Sequence, residues 1–303
     1  LGFKPDFVWL KNRGPSTRNN RLFDSLRGAA KGLSSDLTNA EYTENSLTAF
    51  NTDGFTLGTA GNQNVSSETY VSWNWKALDH DRNLASINND GNITSLVSVN
   101  DAAGFSIIKW ISDGGSTATT KGHGMSAAVD FAIVKSMDSS SIWQIFHKDL
   151  PQNKYIQFSA DALSPAGGTT YFTTSTTTLG FRDGSNSSSG DEMIAYAWRE
   201  ISGYSSIGTY TGNGATSGKI INTGFEPSWI MFKPTSTAGY WYILDNERST
   251  ANPRNKGLFP NDPLAEIQST NYNVDFLSNG FELKNNTVGF NQNNVTYIYM
   301  AFK

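Results

Sequence analysis

Three stretches decide how this chain is read: Tyr70-Val71-Ser72-Trp73-Asn74-Trp75-Lys76, Met193-Ile194-Ala195-Tyr196-Ala197-Trp198-Arg199 and Tyr297-Ile298-Tyr299-Met300-Ala301-Phe302-Lys303. In each, bulky apolar residues fall on alternate positions: Val71, Trp73, Trp75; Ile194, Tyr196, Trp198; Ile298, Met300, Phe302. Successive side chains of a strand point to opposite faces, so the triplets predict three equivalent strands, each burying one face. We call these the closing strands.

Each closing strand has an opening partner well upstream. The first, Gly2-Phe3-Lys4-Pro5-Asp6-Phe7-Val8-Trp9-Leu10-Lys11, matches Gly224-Phe225-Glu226-Pro227-Ser228-Trp229-Ile230-Met231-Phe232-Lys233 position for position. The second, Gly124-Met125 to Phe131-Ala132-Ile133-Val134-Lys135, carries two extra residues. Further landmarks recur between opening and closing in copies one and three: Asp24 with Arg27 and Asp245 with Arg248, each in a D-x-x-R pattern; Lys31-Gly32-Leu33 and Lys256-Gly257-Leu258; Ala40-Glu41 and Ala265-Glu266. Asp53-Gly54 and Asn279-Gly280 each signal a tight hairpin turn with positive φ. Copy two replaces the D-x-x-R with His147-Lys148-Asp149-Leu150.

The pattern predicts an all-β chain of three related repeats, built as tandem antiparallel β-sandwich or jelly-roll-like modules, with one closed threefold assembly of the three copies as the alternative. Repeat one spans 1–77, repeat two 103–200 and repeat three 201–303; the polar stretch 78–102 reads as a linker, an inserted loop of binding type or an inserted hairpin. Helical turns are expected over Leu22–Ala30 and Asp262–Gln268. Repeats two and three are preceded by lead-ins, Gly104-Phe105-Ser106-Ile107-Ile108-Lys109-Trp110 and Gly203-Tyr204-Ser205-Ser206-Ile207 onward to Gly214. Repeat one lacks this lead strand, which implies either a piece of a longer protein or a strand supplied by another part of an assembly.

The 303 residues include 23 Lys and Arg, 27 Asp and Glu, 13% aromatics and no cysteine, and the net charge is −4. The basic residues are scattered, which argues against a nucleic-acid partner. No apolar run approaches a membrane span, and the lack of cysteine removes disulfides and thiolate chemistry.

The D-x-x-R pairs are read as local salt bridges that pin a turn. Lys11, Lys135 and Lys233 recur at strand ends, where lysine guards an edge. Tyr70, Tyr297 and Tyr299 lie opposite the buried triplets and, with Asn88 and Asp90, are the candidates for stacking on and hydrogen-bonding a glycan, packing against a neighbouring repeat or subunit being the alternative for the tyrosines. The histidines His80, His123 and His147 lack metal-ligand spacing. The oxygen-rich run Asn88 to Asn92 lacks the order and distal glutamate of a calcium loop. No metal or cofactor is expected. Asp191-Glu192 are sequence neighbours whose side chains diverge, and no G-x-S-x-G elbow occurs. The chain is therefore read as a non-enzyme.

With its G-F-K-P-D-F-V-W-L-K-N-R opening, F-D-S-L-R-G-A, Y-V-S-W-N-W-K-A, T-Y-T-G-N-G, N-T-G-F-E-P-S-W-I-M-F-K and Y-I-Y-M-A-F-K, the chain resembles a repeat family common in marine bacteriophage genomes. That family is known mainly as large virion-associated proteins, some carrying lectin-like modules. The resemblance implies a place on the virion, other virion proteins as partners, and a homo-oligomer, a trimer by analogy with fibres. It implies a tail-fibre or adhesin role in binding host-surface glycan; a capsid or tail decoration protein is the alternative, and a glycan depolymerase a third reading. It supplies no catalytic residues.

Overall fold

The computed structural model describes residues 1–14, 17–59, 63–78, 85–164 and 169–303. Among these the secondary structure is antiparallel strand with two short 3-10 turns, Asp183–Ser185 and Thr270–Tyr272, and no α-helix. The all-β reading is correct. The expected helical turns are not: Arg21–Asp24 is a strand because Leu22 and Phe23 point into two different cores, and 256–257 and 267–268 pair as a two-stranded ribbon.

Every opening strand pairs with its closing strand. Phe7–Asn12 lies between Arg21–Asp24 and Tyr70–Trp75; Phe131–Ser136 lies between Gln144–His147 and Glu192–Trp198; Trp229–Pro234 lies between Tyr242–Asp245 and Thr296–Phe302. Registers correspond as well: Phe7 faces Trp75, Phe131 faces Trp198 and Trp229 faces Phe302. On the far side of two closing strands runs a lead strand, Phe105–Ile111 or Ser205–Thr211. Among the described residues the closing strand Tyr70–Trp75 pairs with the opening strand alone.

Alternation sorts the side chains of these sheets into two destinations. Phe7, Trp9, Trp73 and Trp75, then Phe131, Ile133, Ile194, Tyr196 and Trp198, then Trp229, Met231, Ile298, Met300 and Phe302 all enter one central cluster. The intervening residues enter three satellite clusters, one per sheet, of which Val8 with Leu10, Ala132 with Val134, and Ile230 with Phe232 are members. Each satellite cluster is closed by smaller strands. These are the hairpin Leu47–Asn51 with Gly54–Leu57, the sheet of Thr119–Gly122, Phe172–Thr174 and Thr178–Phe181, and the sheet of Lys219–Asn222, Val274–Leu277 and Gly280–Leu283.

The architecture is thus three sandwiches that share a fourth, central core. Tandem modules with separate cores would leave Trp73, Tyr196 and Met300 at module surfaces; instead all are buried together. Burying such wide rings removes on the order of 2–3 kcal/mol of exposed apolar surface each, which favours convergence over separation. Rings from all three sheets meet at Trp75, whose centroid lies 5.7 Å from Trp198, 5.9 Å from Trp229 and 5.8 Å from Phe302.

Of the readings of the stretch 78–102, the inserted hairpin is the one that forms. Ser86–Asn88 and Ser95–Asn100 form a hairpin that extends the sheet of repeat two, because Val97 reaches the satellite core and the strand completes the ladder on Phe105–Ile111. Residues 79–84, with His80, lie outside the described residues. The two predicted hairpin turns form, but shifted by one residue: Asn51 pairs Gly54 and Leu277 pairs Gly280, so Thr52-Asp53 and Ser278-Asn279 make the turns. Gly280 keeps a positive φ of 154°, where an added Cβ would meet the Ile221 carbonyl oxygen at 2.0 Å.

Candidate functional site

The polar residues singled out in the sequence gather where one sheet meets the next. Asp24 and Asp245 sit at the same register, opposite Phe7 and Trp229 of their opening strands. Each accepts from the amide three residues on (2.8 Å in both) and from the Nε of the same arginine, Arg27 at 2.5 Å and Arg248 at 2.7 Å. These are turn-pinning ion pairs, as the spacing predicts. They are also almost fully buried, and each reaches a closing strand of another repeat: Tyr196 donates to Asp24 at 2.6 Å, and Trp73 Nε1 donates to Asp245 at 3.1 Å. Arg27 Nη2 in turn donates to the Tyr196 hydroxyl at 3.0 Å. Burial raises the pKa of Tyr196, so it acts as a neutral hydrogen-bond donor.

The other shared landmarks belong to the same device. Glu41 pairs with Arg27 at 3.2 Å and Glu266 with Arg248 at 3.0 Å. Glu266 also takes both a 2.8 Å and a 3.0 Å bond from Arg13, tying repeat three to repeat one. Gly32 and Gly257 lie next to these pairs in tight quarters, since a Cβ would lie 2.5 Å from the Tyr42 ring and 3.0 Å from that of Tyr272.

In repeat two the equivalent position is His147, opposite Phe131. It faces the backbone of Gly208 and Tyr299 in the closing sheet of repeat three, where Met300 stands at the register of Tyr196 and Trp73. Methionine offers no donor. His147 is fully buried, burial lowers its pKa to about 4, and Nδ1 accepts from the Asp149 amide at 3.2 Å. The loss of D-x-x-R from repeat two thus accompanies an apolar residue on the facing strand.

Lys11, Lys135 and Lys233 do not guard edges. Each lies on a central strand and is fully buried, because a neighbour covers both sides of every opening strand. Burial brings each pKa down to about 8. The ammonium groups donate to loop carbonyls: Lys11 to Arg18 and Pro263 at 2.6 and 2.8 Å, Lys135 to Ser136 and Ser139 at 2.8 and 3.0 Å, Lys233 to Gly239 at 2.5 Å. They organise the loops beyond the strand ends.

Of the glycan-binding candidates, Tyr297 and Tyr299 are buried in the satellite core of repeat three, stacked with or beside Tyr210, and offer no exposed face. Their strand turns one face to the central core and the other to the satellite core, so both of its faces are dry. The two tyrosines pack inside the core of their own repeat, neither free nor against a neighbouring repeat or subunit. Tyr70 is half-buried, donates to Glu68 at 3.1 Å and accepts from the Val65 amide at 3.0 Å; the Tyr297 hydroxyl holds the Gln292 amide in the same way at 3.0 Å. Asn88 and Asp90 bond to each other at 2.9 and 3.1 Å in a hairpin tip that also hydrogen-bonds Thr120 through Asn92. The five candidates do not converge. Among the described residues no group of three or more His, Asp or Glu side chains is placed to hold a metal ion, and no helix is long and apolar enough to cross a membrane.

One buried pair was not read from the sequence. Lys121 donates to Asp183 at 2.8 Å, with Trp110 Nε1 3.2 Å from the same carboxylate and the Trp110 ring 5.1 Å beneath the ammonium. The residues are sixty-two positions apart, so no local spacing announces them. A concavity of about 440 Å³, mostly apolar, lies beside Tyr70–Trp75, between Trp75, Phe3 and Tyr204. A second, of about 240 Å³, adjoins it and is lined by Trp73, Trp75, Tyr204, Trp229 and Phe302.

Comparison with curated proteins and with solved structures finds no match. Over residues 1–303 the chain matches the model of a family described as a domain of unknown function, DUF7483, and it belongs to that family.

Proposed function

We propose that this chain is a structural protein of a bacteriophage particle, a rigid β-body at the virion surface that packs with other virion proteins and with further copies of itself. The observation that supports this reading is where the polar chemistry is spent. The D-x-x-R pairs, Glu41, Glu266, Tyr196 and Trp73 are consumed in joining one repeat to the next, and two of the three candidate tyrosines are core residues. Charged groups fixed in dry, hydrogen-bonded contacts favour a single shape over adaptability.

Host-glycan binding is the second reading, and one region favours it. The hairpin carrying Asn88 and Asp90 projects Ile87, 71% exposed, beside a shallow concavity of about 300 Å³ lined also by Lys109, Ile111 and Glu192. Labelling the chain on intact particles and counting its copies separates the two. Hundreds of copies on the shell or along the tail support the structural body; a few copies at a tail tip, together with retention on host-surface polysaccharide, support the adhesin. Absence from purified particles would overturn both.

A further inference from the structure

We propose that Lys121 and Asp183 join their side chains in an intramolecular isopeptide bond, formed without an enzyme once the chain has folded. This inference stands apart from the virion reading. It rests on how the one fully buried lysine–carboxylate contact among the described residues is built.

Lys121 lies on Thr119–Gly122, and Asp183 begins the 3-10 turn that follows the neighbouring strand Thr178–Phe181, with Thr119 opposite Phe181 in the ladder. Both residues are buried, at 1% and 0% exposure, and Nζ is 2.8 Å from Oδ1. Three further oxygens surround the nitrogen: Oγ1 of Thr119 at 2.9 Å and the carbonyls of Thr119 and Phe181 at 3.1 Å each. The rings of Trp110 and Phe181 flank the site, with centroids 5.1 and 5.9 Å from Nζ. Other lysines differ. Lys11, Lys135 and Lys233 are as deeply buried but meet carbonyl and hydroxyl oxygens, which offer no acid to condense with. Lys109, Lys148 and Lys284 meet carboxylates only in partly exposed pairs, where water keeps both groups charged.

Condensation of an amine with a carboxylic acid needs both groups uncharged. The site moves them that way, since burial lowers the pKa of Lys121 and raises that of Asp183. With its two hydrogens on the Thr119 and Phe181 oxygens, the neutral amine turns its lone pair to the carboxyl. Nζ then bonds to Cγ, and the bond from Cγ to Oδ1 breaks. One amine proton passes to the Oδ1 hydroxyl, which leaves as water, and the other stays on the new amide; atoms and charge balance with no co-reactant. Oδ2 is held meanwhile by two donors, Trp110 Nε1 and the Asp113 amide, each at 3.2 Å, an arrangement that stabilises the tetrahedral intermediate of acyl transfer. The product would lock two positions 62 residues apart in a chain that has no cysteine for a disulfide.

The test is the intact mass of the 303-residue chain, purified folded and then denatured, set against the mass its sequence requires. Expected are a deficit of one water in most chains and, after trypsin, segment 110–135 joined through Lys121 to segment 183–199 with no cleavage after Lys121. Lys121→Arg keeps a cation beside Asp183 but carries no nucleophilic amine, and it should restore the full mass. A parent chain of full mass, cleaved normally after Lys121, overturns the proposal. A deficit that persists in Lys121→Arg overturns it too, and assigns the lost water to a cyclic imide such as Asp183-Gly184 could form. Should Lys121→Arg fail to fold, the presence or absence of the branched peptide in the parent chain decides alone.

Discussion

The contact of repeat one on repeat two and that of repeat two on repeat three occupy the same place in two sheet junctions and are built from opposite chemistry. In the first, Asp24 and Arg27 form a buried ion pair that meets the hydroxyl of Tyr196. In the second, a neutral His147 faces a strand carrying Met300. A buried carboxylate needs donors for its oxygens and a compensating charge. Where the facing strand offers a hydroxyl or an indole N–H, the charged device is retained; where it offers a thioether, a neutral ring stands instead. Identity at this position follows the partner strand and not the local turn.

The largest effect should come from stranding a charge. Asp24→Ala leaves Arg27 buried beside Glu41 alone, and a loss of ~3–5 kcal/mol in unfolding free energy is expected from urea titration. His147→Ala leaves no charge behind and should cost less; equal losses would break the comparison. Trp73→Phe leaves a smaller aromatic ring and removes the donor to Asp245; about 1–3 kcal/mol is expected for the lost hydrogen bond, beyond the lost packing.

The two junctions should also differ in acid. The pKa of His147 is about 4 in the fold against an ordinary 6.5, so between those values the unfolded chain binds more protons than the folded one. Stability from this residue is complete above pH 6.5 and declines as pH falls toward 4, by on the order of 3 kcal/mol. Comparing His147→Asn with the parent chain across pH 4 to 7 isolates it; an unchanged pH profile would sink the assignment. The smallest effect belongs to Met300→Leu, a volume-conserving change with no polar partner to disturb, which should cost less than about 1.5 kcal/mol by the same titration. A double-mutant cycle sharpens the contrast: Asp24 with Tyr196 should couple by roughly 1–3 kcal/mol, and His147 with Met300 by far less.

Much of the fold was legible because its signals are local. Alternation in Ile194, Tyr196, Trp198 and its counterparts marks a buried strand wherever it occurs, and Asp24 three residues before Arg27 closes its own turn. The mistaken readings share one cause. Lys11, Lys135 and Lys233 look like edge residues until the strands on both sides are known. Tyr297 and Tyr299 look free, or packed on a neighbour, until the satellite sheet of their own repeat is seen to cover them, and 85–100 cannot be told apart as linker, loop or hairpin until its partner Phe105–Ile111 is placed beside it. The Lys121–Asp183 pair has no local trace at all.

By itself, then, the amino-acid sequence determined the strands, their order within each repeat and the turn-pinning ion pairs. These follow from periodicity and from neighbours a few residues apart. Only the tertiary structure decided that three sheets share one aromatic core, that each D-x-x-R reaches into a different repeat, and that His147 stays neutral. Those outcomes depend on which faces of distant strands meet, and the free energy of burying a ring or a charge is set by what lies across the interface.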